Sequence, residues 1–175
     1  MAFPYSSGDV LTAADLNQSS GLVFVKSQTI GSGVSSVTVT DAFSSTFTNY
    51  RILMANMDAS TITNVTLQLG STTGNYYGLV ESWSYSSGVT QTLVNNGGPM
   101  TVAISHTTFD SYATIELMNP NGSGRTGITA HSGGLRGVIM IGEDTAGGSH
   151  TSFTLAMASG TMTGGKVRVY GYNDG

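Results

Sequence analysis

Thr63-Asn-Val-Thr-Leu-Gln-Leu69 alternates residue by residue: Val65, Leu67 and Leu69 fall on one side of an extended chain, and Asn64, Thr66 and Gln68 on the other. Successive side chains of a strand point to opposite faces, so a period of two specifies a strand buried on one face. The same period recurs outward in both directions. Toward the N-terminus, Tyr50–Met57 is an apolar segment, and Val34–Thr40 puts Val37 and Val39 on one face. Leu22–Ile30 begins as a continuous apolar run, which reads as a strand buried on both faces. Toward the C-terminus, GSTTGN after Leu69 is a turn, followed by the aromatic-rich Tyr76–Tyr85 and by Val89–Val94. NNGGP breaks the chain again. Met100–Ser105 and Ser111–Met118 form another pair, the second with Ala113, Ile115 and Leu117 on one face. Asn119–Gly134 is a long polar loop region with a short strand at Gly127–Ala130. Arg136–Ile141 is a core strand, and GEDTAGGSH a turn. In the last two strands Phe153, Leu155 and Met157, then Val167 and Val169, face inward, with GTMTGG turning between them.

About ten short strands at regular spacing specify an all-β domain, a β-sandwich of jelly-roll type, over residues 22–175. Residues 1–21 differ. Thr12 is an N-cap with Asp15 three residues on, so each side chain can satisfy the other's backbone N–H. Leu11 before the cap and Leu16 after it have the spacing of a hydrophobic staple. A short helix over Ala13–Gln18 is expected. At about two turns it is too short to persist alone in water, so Phe3, Tyr5, Leu11 and Leu16 need a surface to lie on. That surface is either the chain's own domain or another subunit, for which the segment would be an anchoring arm.

Only 9% of the 175 residues are charged, with Ser, Thr, Asn and 24 Gly in their place. A hydrophobic fraction of 39% separates this from a disordered composition. A weakly charged surface leaves little to desolvate when subunits pack. The net charge is −4 and the six basic residues are scattered, which gives no nucleic-acid footprint. No apolar run approaches the ~18 residues of a membrane helix, and no signal peptide is visible. Cysteine is absent, which removes disulfides and thiolate metal sites.

Catalytic motifs fare poorly. Gly122-Ser-Gly-Arg-Thr-Gly127 matches G-x-G-x-x-G, but ITAHSGG after it is no helix, so it reads as a glycine-rich turn. His106, His131 and His150 sit in loops or strand ends as exposed or inter-subunit residues, without metal-ligand or triad spacing. Glu81, Asp110, Glu116, Glu143 and Asp144 offer carboxylates that nothing pairs, and Glu143-Asp144 reads as solvated. No catalytic residue, metal or cofactor is expected. Tyr76, Tyr77, Trp83 and Tyr85 form the densest aromatic group, suited to core packing or to surface recognition. Asn64-Val-Thr66 and Asn121-Gly-Ser123 match the glycosylation pattern, which carries little without a secretion signal.

Phe3-Pro-Tyr-Ser-Ser-Gly-Asp-Val-Leu-Thr-Ala-Ala-Asp-Leu-Asn17 resembles the GDVLTAADLN openings of tailed-bacteriophage structural proteins, tail-fibre and tail-appendage proteins included. GLVFVKSQTIG with VTVTDAFSSTFTNYRILM, and the closing KVRVYGYN, are similar to small virion β-domain proteins of phages, cyanobacterial phages among them. The resemblance covers both ends and much of the first third, and leaves out Gly70–Gly134. It implies a non-enzymatic virion protein assembled in the host cytoplasm, a homotrimer whose arm binds another virion protein of tail or capsid. A short tail fibre or receptor-binding appendage, with a host surface glycan as ligand, is the leading expectation. A capsid decoration protein is the alternative, and a glycan-degrading virion enzyme the third.

Overall fold

The computed structural model describes residues 21–173. The expected arm helix, with Phe3, Tyr5, Leu11, Thr12, Asp15 and Leu16, lies outside the described residues. Among those described there are thirteen strands and no helix. They are β1 (Gly21–Thr29), β2 (Ser36–Val39), β3 (Asn49–Ala59), β4 (Asn64–Leu69), β5 (Tyr76–Ser84), β6 (Gly88–Gly97) and β7 (Met100–Ile104). The rest are β8 (Ser111–Met118), β9 (Thr126–Ser132), β10 (Arg136–Asp144), β11 (Phe153–Met157), β12 (Met162–Thr163) and β13 (Lys166–Asn173).

Two antiparallel sheets make an uneven sandwich. The larger runs β1-β13-β3-β8-β9-β10-β5-β6, with β12 paired to β3. The smaller runs β2-β11-β4-β7. The period of two decides which side chains lie between them. Val65, Leu67 and Leu69 of β4 are fully buried, as are Phe153 and Leu155 of β11. They face Tyr50, Ile52 and Met54 of β3, Ile115 and Leu117 of β8, and Val167 and Val169 of β13 in one cluster. Each such side chain is worth about 1.5–3 kcal/mol relative to exposure. In β3 the alternation slips by one residue. A bulge between Met54 and Met57, with Asn56 at φ 57°, absorbs the extra residue and returns Met57 to the core.

Several expectations are corrected. β1 is an edge strand paired with β13 alone, and Leu22 and Phe24 are exposed. An apolar run need not be doubly covered when one face waits at a sheet edge. β9 is longer than expected and lies between β8 and β10, where Ile128 and Ala130 are buried. β6 continues through Asn95 and Asn96, which therefore do not break it. β10 runs on to Asp144, whose side chain is buried and not solvated.

The register fixes two ends. Gly21 pairs with Asn173, Asn49 with Met118, and Tyr76 with Asp144. The chain therefore enters β1 at the same end as loops 70–75, 119–125 and 145–152. The opposite end carries loops 60–63, 85–87, 105–110 and 133–135, separated from the first by about 30 Å, the span of a nine-residue strand.

Candidate functional site

At the end far from Gly21, a cleft of about 440 Å³ opens between loop 105–110 and loop 133–135. Its walls include Ile104, Phe109, Tyr112 and Leu135, and His106, Asp110 and Arg136 add polar groups. A smaller hollow of about 170 Å³ continues it past His106 and Leu135 to Ile62 and Tyr85. The volume and the apolar lining with few polar groups are those of a small-ligand site.

The loops are held in place by buried hydroxyls. The Ser105 hydroxyl is fully buried, has the carbonyls of Thr61 (2.8 Å) and Thr63 (3.0 Å) as acceptors in reach of its single proton, and accepts from the Thr63 N–H (2.9 Å). Ser111 Oγ accepts from the His106 N–H at 3.1 Å. His106 Nδ1 in turn accepts from the Thr108 N–H at 3.1 Å, and its ring sits 5.0 Å from that of Phe109. Loop 85–87 is tied to loop 133–135 by the Tyr85 N–H donating to the Leu135 carbonyl at 2.9 Å. Gly133 lies under the Tyr112 hydroxyl, where a Cβ would crowd it. Phe109, Tyr112 and Leu135 are thus half or more exposed on a framework that is already ordered. Among the described residues, no ion pair or side-chain hydrogen bond engages Arg136. Lys26, Arg51 and Arg125, by contrast, are paired with Asp41, Glu116 and Glu143.

The pleat divides the expected aromatic group. Tyr76 points inward and is fully buried, while Tyr77 and Trp83 are half-buried on the outer face of the larger sheet. Tyr85, at the hairpin tip, is 89% exposed and borders the cleft's extension. Phe109 and Tyr112 lie in one stretch and Leu135 and Arg136 in another, more than twenty residues on, and only the β8–β9–β10 pairing brings the two stretches together.

A second cluster lies at the end where the chain enters. His150 Nε2 stands 2.9 Å from Asp144 Oδ2, with the ring 10% and the carboxylate 0% exposed. That oxygen has no hydrogen-bond partner among the described residues, and the His150 ring is the polar group beside it. Asp144 Oδ1 accepts from the Ala146 N–H at 2.9 Å. His150 lies in a loop as expected, but its ring is largely buried and not exposed. Next to this pair, Tyr76 Oη accepts from the Leu69 N–H at 2.8 Å and donates to the Thr72 carbonyl at 3.3 Å. Burial pushes its phenol up to about 12, opposed by the Leu69 bond and reinforced by Asp144. The cluster is enclosed and ties loops 70–75 and 145–152 together. No group of three or more His, Cys, Asp or Glu suited to a metal occurs among the described residues. None of their helices could cross a membrane, since they form none.

No protein-family model and no curated protein matches the chain.

Proposed function

We propose that this chain is a non-enzymatic structural protein of a tailed-phage virion, a short tail fibre or receptor-binding appendage. Residues 1–21 attach it to the particle, and the cleft at the opposite end binds a host surface glycan. The resemblance of Phe3–Asn17 to phage structural openings supports the virion part of this reading. The observation that carries the binding part is the placement of the cleft. Phe109, Tyr112, Tyr85 and Leu135 are exposed together about 30 Å from the point where the chain enters β1. An anchored domain would present that end outward. Aromatic rings supply flat apolar faces on which sugar C–H groups stack, and His106, Asp110 and Arg136 offer donors and acceptors for hydroxyls.

Antibodies test this on intact particles. Those raised against loop 105–110 should block adsorption, while those against loop 119–125 should not. If loop 119–125 is the accessible one, the orientation is reversed. Copy number separates fibre from decoration protein: a tail appendage is present in few copies and a head-shell protein in hundreds.

A further inference from the structure

The inward period of β13 buries Val167 and Val169 and so leaves Lys166 and Arg168 together on the outer face of the larger sheet. Two residues apart on one strand, their Cα atoms are about 7 Å apart, so both long side chains can reach one point. They line a hollow of about 380 Å³ with Thr29 of β1, Ala55 and Asn56 of β3, and Gly165. The register builds it, because Lys166 pairs with Thr29 on one side and with Ala55 on the other. The β3 bulge adds Asn56, which at φ 57° stays outside beside Ala55 instead of turning into the core.

The polar side chains of this hollow are not engaged elsewhere. Among the described residues, Lys166, Arg168, Asn56 and Thr29 make no ion pair and no side-chain hydrogen bond. All four can donate, and the two cations can only donate. The lining contains no carboxylate. Asp58, the acidic residue next along β3, pairs with Thr163 beyond the hollow. The other basic residues are placed differently. Lys26, Arg51 and Arg125 are each paired with a carboxylate, and Arg136 shares its cleft with Asp110. Two like charges this close repel each other, and an anion held between them removes that repulsion. In a chain of net charge −4, the hollow is thus a local reversal of sign.

The hollow adjoins the cleft. Ala55 and Asn56 stand across from Tyr112, a wall of the cleft, where β3 pairs with β8. From β13 to β8 is two strand spacings, about 10 Å, which a short stretch of polysaccharide spans. We propose that the Lys166–Arg168 hollow is an anion-binding site, and that it takes the anionic group of an acidic sugar whose neighbours in the same chain lie in the cleft. The second half of this rests on the glycan reading above. Arg168 presents a planar fork to the anionic group and Lys166 a point charge, while Asn56 and Thr29 offer donors to the ring hydroxyls.

Sulfate is the first probe, followed by amide NMR of the full-length protein at an ionic strength held constant with sodium chloride. Sulfate should shift the amides of Asn56, Gly165 and Lys166 along saturating curves, and Lys166→Gln/Arg168→Gln should abolish the saturation. Both side chains lie on the outer face, so glutamine has no core to disrupt. Asn56→Gly, which keeps the left-handed backbone, should weaken sulfate binding without abolishing it. Shifts that stay linear, or that are as large at Lys26 and Arg125 as in the hollow, would overturn the site. The second probe is a set of acidic and neutral bacterial surface polysaccharides. The wild type should bind acidic members, and the double glutamine variant should bind them about tenfold or more weakly. Polysaccharide binding that the double variant keeps in full would overturn the acidic-sugar assignment and leave the cleft reading standing. Saturable sulfate binding with no polysaccharide bound would uphold the anion site and overturn the glycan reading, so the two failures are told apart.

Discussion

Replacing Tyr76 by Phe should change the shape of the stability-versus-pH curve as well as its height. In the wild type the phenol is fully buried and its pKa is raised from 10.0 to about 12, chiefly by burial. The unfolded chain releases this proton first. The linked stability is thus intact below pH 10.0 and is lost as the pH climbs from there toward 12. Two pH units correspond to about 2.7 kcal/mol. Phe has no proton to release, so it lacks this loss. It has a cost of its own: the Leu69 N–H, which donates to Tyr76 Oη at 2.8 Å, is left without its acceptor. A buried donor left unsatisfied costs about 1–3 kcal/mol. At neutral pH the wild type should therefore be more stable by that amount, and the gap should close or reverse across the window. Urea unfolding of both proteins, followed by the fluorescence of Trp83 at neutral pH and through pH 10 to 12, measures the gap. A gap that stays constant through the window would refute the reasoning, because it would mean the phenol titrates alike folded and unfolded.

Gly137→Ala should destabilise by about 1–3 kcal/mol in denaturant melts, because a Cβ there overlaps the Trp83 ring and the Ser132 carbonyl, and backbone cannot yield as a side-chain tip does. His150→Ala should cost about 1–3 kcal/mol by removing the polar neighbour of the buried Asp144 Oδ2, whereas Asp144→Asn, which keeps an acceptor for the Ala146 N–H, should cost less. Equal losses from the two, read from urea midpoints, would show that His150 does not support that oxygen. Deleting Met1–Ser20 should leave a chain with the same circular dichroism spectrum that no longer joins particles in an assembly assay.

Much of the sandwich was legible in the sequence because its interior strands alternate. β4, β8, β11 and β13 each bury one residue in two, and that pattern names both strand and face. The period is silent on neighbours. The run Leu22–Val25 looks alike at an edge and between two layers, so its composition overstates the burial of β1. β9 is a central strand built largely of small and polar residues, Thr126–Ser132, whose burial comes from its neighbours rather than from its own hydrophobicity. Asp144 sits among turn residues in the chain and is buried because β10 extends to pair with Tyr76. The aromatic group divides for a related reason. Nearness in sequence along a strand sends consecutive rings to opposite faces, so Tyr76 and Tyr77 separate. The cleft could not be seen because its side chains belong to different loops, joined by pairings that a single window does not contain.

If the protein recognises a glycan as proposed, the cleft far from the entering chain is its binding surface. The direct measurement is binding of the full-length protein to an array of bacterial surface polysaccharides, for the wild type and for a Phe109→Ala/Tyr112→Ala variant. Both side chains are about half exposed, so the fold should survive their loss. Each aromatic platform is worth about 0.5–1.5 kcal/mol beyond its contact area. The wild type should bind at least one polysaccharide, and the variant should bind it about tenfold or more weakly with unchanged thermal stability. Binding that is equal in the two proteins, or absent in both, would contradict the account.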